Sequence, residues 1–349
     1  MFDRILLFGT ALAPGLDNGG RTFIEGLARA LAAQGVHVGM VASPEAVAGS
    51  SQLLDAVEIL PCRQVSGFKR VAADFYRAER LSRSFGSDCV CYPHEWAPPV
   101  TAPLIQVVQN IGWVHPWSRR EYGLRGRMLK ALALSTARWS SGRVHVSPLA
   151  FGLWKQAGLP TDSTDVVLPE AVDAIGEMAV AKRGPGADVL VVTGRAAHKL
   201  PHFSVECAEE IVRQRSDLSV LVVGLPEPAE VKHSLGVSYA PYLPRTEMLG
   251  LMKDAAVVLH LSQVESFGLP TVEALNCGTR VVVLSGTPMA ELGAGSVNVA
   301  PWSVTSVAAI ALDVLGEGSV VATMPSGLTW DVAGPRWFDY FAKVVELNP

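Results

Sequence analysis

Residues 256–284 read Ala256-Val-Val-Leu-His260-Leu-Ser-Gln-Val-Glu265-Ser-Phe-Gly-Leu-Pro-Thr-Val-Glu273-Ala-Leu-Asn-Cys-Gly278-Thr-Arg280-Val-Val-Val-Leu284. Ala256–His260 and Arg280–Leu284 are short, continuously apolar runs, the pattern of strands buried on both faces of a parallel sheet. Leu269–Cys277 has helical spacing and stops at Gly278. The stretch predicts one strand–helix–strand unit with a crossover of fitting length.

The same alternation extends in both directions. Upstream, Asp188–Thr193 and Leu218–Val223 predict strands, and Phe203–Arg215 and Arg245–Lys253 predict helices. Downstream, Val304–Leu315 predicts a helix. An earlier series starts with strand Arg4–Phe8, a glycine-bearing loop with Gly19 and Gly20, helix Thr22–Ala33 and strand Val36–Ala42. It continues through strands Asp88–Tyr92 and Leu104–Val108, helix Arg125–Trp139, and strands Val144–Val146 and Val166–Leu168. Between the series, Glu177–Gly186 turns to Lys, Arg, Gly and Pro, as a linker does. Two series predict two doubly wound α/β domains, with ligands held beyond the carboxyl ends of their strands.

A length of 349 residues, 49% of them apolar, suits two cores. No run of about 18 uncharged apolar residues spans a membrane. The apolar run Ile5–Phe8 is too short for a signal peptide, so a cytoplasmic location is expected. Five cysteines, with Cys89 and Cys91 two apart, fit neither a full disulfide framework nor a zinc site, and read as small buried hydrophobes. Residues 1–170 carry 17 Lys and Arg against 14 Asp and Glu; residues 171–349 carry 12 against 19. The positive charge concentrates in 63–143, which suits a phosphorylated acceptor or the anionic inner face of a membrane rather than nucleic acid. Arg119, Arg120, Arg125, Arg127 and Lys130 either serve that purpose or form a solvated helix face.

Two clusters carry chemistry. Ser266, Phe267 and Gly268 precede a helix, so their N–H groups and the helix dipole favour an anion, while Glu273 lies one turn further on, where it can accept from ribose hydroxyls. Strand Asp188–Thr193 runs into Gly194-Arg195-Ala-Ala-His198-Lys199. Arg195 and Lys199 beside a flexible glycine suit a pyrophosphate. A leaving nucleoside diphosphate gains charge in the transition state, and fixed cations stabilise that charge without a metal. No Asp-x-Asp occurs, so no metal or other cofactor is expected.

Together these residues resemble glycosyltransferase family 4 of the GT-B superfamily. Arg195 and Lys199 match its G-R-x3-K element; Glu265, Phe267, Gly268, Pro270, Glu273, Ala274 and Gly278 match its E-x7-E element. The loop Val237–Pro244, with Tyr242 and Leu243, resembles the one that holds the nucleotide base. Ser262 and Glu291 match further landmarks, and Trp330 with helix Phe338–Val345 resembles the element that crosses back to the first domain. Gly19-Gly20 resembles the glycine-rich loop near the donor phosphate or acceptor. Pro169–Asp173 resembles the segment before the interdomain linker, departing from it at Glu170 and Ala171.

The resemblance implies an α/β GT-B fold: two Rossmann-like doubly wound domains facing a central cleft. Residues 1–173, with a C-terminal helix at about 331–349 packed back on them, would take the acceptor. Residues 186–330 would bind a nucleotide-sugar donor through Gly194, Arg195, Lys199, Tyr242, Leu243, Glu265, Ser266, Phe267, Gly268, Leu269 and Glu273. It implies a retaining transfer to a glycan, glycolipid or small natural product, with UDP-sugars favoured and GDP-sugars next, and with Glu265, Arg195 and Lys199 carrying catalysis. The family often places a histidine where Gln109 or Asn110 stands; those two, His94 or His115 would supply the contact to acceptor or donor sugar. Trp96, Trp113 and Trp117 either stack on sugar rings or fill the core. The alternatives are a non-catalytic GT-B partner subunit, or a GT-B epimerase or phosphorylase.

Overall fold

The computed structural model describes residues 2–15, 18–115, 119–174, 187–226, 236–293, 295–318 and 320–348, with only the backbone of 119–121. Asp17, Trp117 and the linker expected at 177–186 lie outside the described residues, as do the side chains of Arg119 and Arg120. The chain divides into two compact units: Met1–Ala171 with Thr329–Pro349, and Val172–Leu328.

Unit 1 holds β1 (Arg4–Phe8), α1 (Gly19–Ala33), β2 (His37–Ala42), α2 (Pro44–Val47), α3 (Ser51–Ala56), β3 (Glu58–Pro61), α4 (Gly67–Phe85), β4 (Cys89–Tyr92), β5 (Leu104–Val108), α5 (Arg119–Thr136), β6 (Gly142–His145), α6 (Pro148–Gln156) and β7 (Asp165–Val167). The strands form one parallel sheet in the order β3-β2-β1-β4-β5-β6-β7. Unit 2 holds β8 (Val189–Val192), α7 (Pro201–Gln214), β9 (Val220–Val223), β10 (Val237–Ala240), α8 (Arg245–Asp254), β11 (Val257–His260), α9 (Leu269–Asn276), β12 (Arg280–Leu284), β13 (Asn298–Ala300) and α10 (Val304–Gly316). Its parallel sheet runs β10-β9-β8-β11-β12-β13. Both units are therefore Rossmann-like α/β folds. In each the strand order reverses once, at β1/β4 and at β8/β11, which opens a crevice at the carboxyl ends there.

The continuous apolar runs reflect two-sided burial. In unit 2, Val189, Val191, Val257, Leu259, Val282 and Leu284 pack under α7 and α10. The alternate residues Leu190, Val192, Val258, Val281 and Val283 pack under α8 and α9. Period-2 alternation thus exists, but both phases are apolar.

The structure extends the sequence reading where polar residues face inward. α4 has no sequence-predicted counterpart; its inward side interleaves Asp74, Arg77 and Ser82 with the apolar Val71, Phe75, Ala78, Leu81 and Phe85. Thr10 Oγ1 (2.8 Å), Tyr92 OH (2.5 Å) and the Arg77 guanidinium (Nε at 3.0 Å) all donate to Asp74, so this charge is compensated. α1 starts at Gly19 rather than Thr22, since the Asn18 side chain caps it by accepting from Arg21 N at 3.0 Å. The helix expected at Arg125–Trp139 begins at Arg119, bends at Gly123 (φ 44°) and ends as a 3-10 turn over Ala137–Trp139. Val237–Ala240, expected as part of a loop, pairs with β9 as β10. α2, α3, α6, β3 and β13 are further additions.

The five cysteines are free, and burial raises the Cys89 and Cys91 thiol pKa values. Trp96 and Trp113 are buried in unit 1, as core side chains are. Among the described residues no helix is long and apolar enough to cross a membrane.

The last helix, α11 (Trp330–Leu347), returns to unit 1 and packs on α1. Trp330 and Trp337 meet the Phe23 ring at 5.9 and 5.4 Å between centroids. A methyl group on Gly26 of α1 would fall 1.9 Å from Trp330 Nε1, so only glycine admits this approach. Gly26→Ala should destabilise the protein by about 1–3 kcal/mol through overpacking, read as a lower urea midpoint at unchanged m-value.

Candidate functional site

Of the sequence-predicted donor residues, Gly194, Arg195 and Lys199 follow β8, Tyr242 and Leu243 follow β10, and Glu265 to Gly268 follow β11 and lead into α9, which carries Leu269 and Glu273. Register Val192↔His260 sets the carboxyl ends of β8 and β11 side by side. After β8 the chain passes Gly194 and Arg195, tightens into a 3-10 turn over Ala197–Lys199, and enters α7 through Leu200 at φ 50°. Thr193 Oγ1 donates to the Lys199 carbonyl at 2.8 Å, and Gln263 N donates to the His198 carbonyl at 2.8 Å. The two loops are thereby tied together, and the Lys199 ammonium pairs directly with Glu265 Oε1. Arg195 is exposed and bonds to no described residue.

His260, absent from the sequence-predicted set, organises the rest. It is buried at the end of β11. Its Nδ1 lies 2.8 Å from Thr271 Oγ1, and its Nε2 lies 3.3 Å from Ser262 Oγ and 3.4 Å from Glu265 Oε1. One polar residue closing the run Val257–His260 is the signal that marks it. Burial alone would raise the Glu265 pKa, but the Lys199 charge and the His260 hydrogen bond overcome that and hold it well below the usual carboxylate range. Glu265 is therefore an ionised acceptor of hydrogen bonds and not a proton donor.

Gly268 caps α9 at φ 99° without a side-chain cap bond; Pro270 carries no N–H and Thr271 N donates to the Gly268 carbonyl at 2.9 Å, which leaves the Gly268 and Leu269 N–H groups to face an anion. A Cβ on Gly268 would lie 2.4 Å from Met289 Cγ. Phe267 and Leu269 are buried beside it, and Ser266 is half-buried. Gly224, also missed by the sequence reading, has φ 103° and sits against the Thr193 carbonyl, so β9 ends in contact with the phosphate-type loop. Glu273, buried in α9, accepts from Arg245 Nε at 2.7 Å; Arg245 Nη1 also lies 3.6 Å from Asp173 Oδ2. Tyr242 is exposed after β10, and Leu243 is half-buried against the core. Among the described residues no three His, Cys, Asp or Glu side chains converge as a metal site would need.

Unit 1 places its candidates differently. Gly19 and Gly20 are exposed in the first turn of α1. The preceding loop is pinned by Arg21, which donates to the Ala13 and Ala46 carbonyls at 2.8 Å. Gln109 Nε2 donates to Glu170 Oε1 at 2.9 Å, and Asn110 Oδ1 accepts from Gly112 N at 3.1 Å, so both already serve the protein's own groups. His115 is half-buried, which lowers its pKa. His94 stacks on Trp96 at 5.7 Å; burial, helped by the Arg70 charge, pushes its pKa far down and keeps it neutral. Burial raises the neighbouring Glu95 to about 7, against hydrogen bonds from the Glu95 and Asn110 backbone and the Arg70 charge.

Residues 178–296 match the family model described as Glycosyl transferases group 1. A D-inositol 3-phosphate glycosyltransferase of Frankia alni is 34% identical over 113 residues, spanning 27% of this chain and 28% of that relative. Sucrose-phosphate synthase from Thermosynechococcus elongatus superposes with a TM-score of 0.76 at 14% identity, covering 99% of this chain and 100% of that one. Anabaena HepE in complex with UDP and glucose gives 0.67 at 16% identity, covering 99% and 98%. At such identities the structural likeness establishes the fold, which is GT-B. The sequence match places a glycosyl transferases group 1 segment across the first part of unit 2.

The folded state holds the Glu95 proton that the unfolded chain releases near 4.5. Stability supplied by that neutral carboxyl is complete below pH 4.5 and is lost as pH rises through about 7. Relative to Glu95→Gln, the wild-type protein should lose about 3 kcal/mol of unfolding free energy across that window. Urea unfolding at pH 5 and pH 8 measures the difference, and parallel curves for the two proteins would contradict the burial argument.

Proposed function

We propose that the chain is a retaining glycosyltransferase that moves a sugar from a nucleotide-sugar donor to an acceptor hydroxyl without a metal. The observation that carries this is the convergence of Lys199, Glu265 and His260 with the open N-terminus of α9 at one switch point. The diphosphate lies against Arg195, Lys199 and the Gly268 and Leu269 N–H groups. The ribose meets Glu273, and the Tyr242–Leu243 backbone meets the base. Glu265, ionised throughout the neutral range, accepts from donor-sugar hydroxyls and stabilises positive charge developing at the anomeric carbon. The bond from that carbon to the diphosphate breaks as the acceptor oxygen bonds on the same face. The acceptor proton passes to the departing phosphate oxygen. UDP-sugars are favoured over GDP-sugars, and the UDP and glucose bound by HepE support that choice.

The acceptor, a hydroxyl-bearing glycan, glycolipid or small natural product, belongs to unit 1. The protein works in the cytoplasm, and its basic region 63–143 meets an anionic membrane face. Exposed Leu124, Met128 and Leu134 on α5, interleaved with Arg125, Arg127 and Lys130, support that contact.

Metal-free release of nucleotide from UDP-, GDP-, dTDP- and ADP-sugars tests the reading. One donor should be turned over. Arg195→Ala should lower its kcat/KM at least about thirtyfold, the equivalent of about 2 kcal/mol for a lost charge contact. Turnover of no donor, or an Arg195→Ala loss of only a few fold, refutes it. An inverted anomer in the product by NMR refutes retention.

A further inference from the structure

Glu265 has two carboxylate oxygens, and its neighbours treat them differently. The Lys199 ammonium pairs with Oε1. His260 Nε2 faces the same oxygen, at 3.4 Å. Among the described residues none bonds to Oε2. One oxygen is therefore held from two sides, by a cation from the turn before α7 and by an imidazole from the end of β11. The side chain keeps 15% of its surface exposed, so Oε2 is left to face what enters the crevice.

The two holding groups differ in kind. An ammonium on a four-carbon stem is a point charge with rotatable donors, and it fixes no orientation. The His260 ring is planar, buried and engaged at both nitrogens, so it does. Its Nδ1 lies 2.8 Å from Thr271 Oγ1, and Ser262 Oγ lies 3.3 Å from Nε2. Thr271 and Ser262 are buried, which shields these contacts from bulk solvent. The proton positions follow from the partners. Glu265 is ionised and only accepts, so Nε2 carries the proton. The other tautomer would set a bare Nε2 lone pair against the carboxylate. Nδ1 then accepts, and the Thr271 hydroxyl donates into it. Thr271 lies in the first turn of α9, and its backbone N–H holds the Gly268 carbonyl at 2.9 Å. One residue thus supports both the helix start and the imidazole.

We propose that His260 is a positioning residue: with its tautomer set by Thr271, it holds Glu265 by Oε1 so that Oε2 alone is presented to the donor sugar. The Nε2–Oε1 contact is long for a hydrogen bond, and contacts of this kind tighten in the substrate complex. The proposal rests on the glycosyltransferase reading in naming what Oε2 meets; the tautomer is measured without any donor.

Nitrogen NMR of the whole chain, labelled at histidine and held at pH 7, reads the ring. The His260 signals, assigned by their loss in His260→Gln, should show a proton on Nε2 and none on Nδ1. A bare Nε2 or a doubly protonated ring overturns the proposal. Metal-free nucleotide release from the donor that is turned over reads the consequence. His260→Leu should lower kcat at least about tenfold. Calorimetric affinity for UDP should stay within about threefold of wild type, because the imidazole acts on the sugar-side carboxylate and not on the diphosphate. His260→Gln, which returns an uncharged N–H donor, should recover most of kcat. Wild-type kcat in His260→Leu, equal losses in the two variants, or matching losses of kcat and UDP affinity overturn the proposal. Circular dichroism and thermal melting confirm folding. If His260→Leu does not fold, Thr271→Val, which removes the donor to Nδ1 at nearly constant shape, replaces it with the same expected outcome. Turnover of no donor overturns the activity instead and leaves the tautomer readable.

Discussion

The parallel pairing of β8 with β11 is the constraint on which the candidate site depends. It joins segments more than sixty residues apart in sequence, in the register Val192↔His260, and so presents two loop mouths side by side. Lys199 leaves one mouth and Glu265 the other. The Glu265 charge would be costly alone at its depth. Burial disfavours the Glu265 carboxylate, and only the opposed ammonium and the His260 imidazole make ionisation the favoured state. The sheet therefore fixes the electrostatics before any substrate arrives. Thr193, bound to the Lys199 carbonyl, and Gln263, bound to the His198 carbonyl, lock the loops that carry the pair.

The sequence made unit 2 legible because its signals were redundant. Val189–Val192, Val257–His260 and Arg280–Leu284 are apolar in both phases, and glycines mark the turns where the backbone must come close. Arg195, Lys199, Glu265 and Glu273 could be named from spacing because each sits at a fixed distance from a strand end or helix start. His260 was not legible in the same way. As the last residue of a buried strand it carries only a weak mark, a polar side chain after three apolar ones, and its role appears when Thr271, from the next helix, and Glu265 close around it. Arg245 is a similar case: its partners Glu273 and Asp173 are distant in sequence, and no local pattern links them.

Unit 1 was read less completely because its interior is less apolar. α4 buries Asp74 and Arg77, and β6 buries Arg143, which donates to Asp165 Oδ1 at 2.7 Å. Such pairs set charged residues among the apolar ones by which a buried strand or helix face is recognised. Polar contacts also tie distant parts of this unit together: Gln109 Nε2 donates to Glu170 Oε1 across 61 positions of sequence.

The chain leaves unit 1 after Ala171 and comes back to it at Thr329. Phe23, Gly26 and Ala30 on α1 face side chains of α11. On the ribosome, then, α1 waits for α11, which is made after the whole of unit 2. Unit 2 has all its strands in hand while the α1 surface is still uncovered. Assembly is accordingly staggered: the half with the redundant sheet signals is free to close first, and the half that emerged earlier is sealed only when Trp330 and Trp337 arrive. A nascent chain of this design keeps the apolar face of α1 exposed until α11 is made, which leaves that face open to wrong contacts in the meantime.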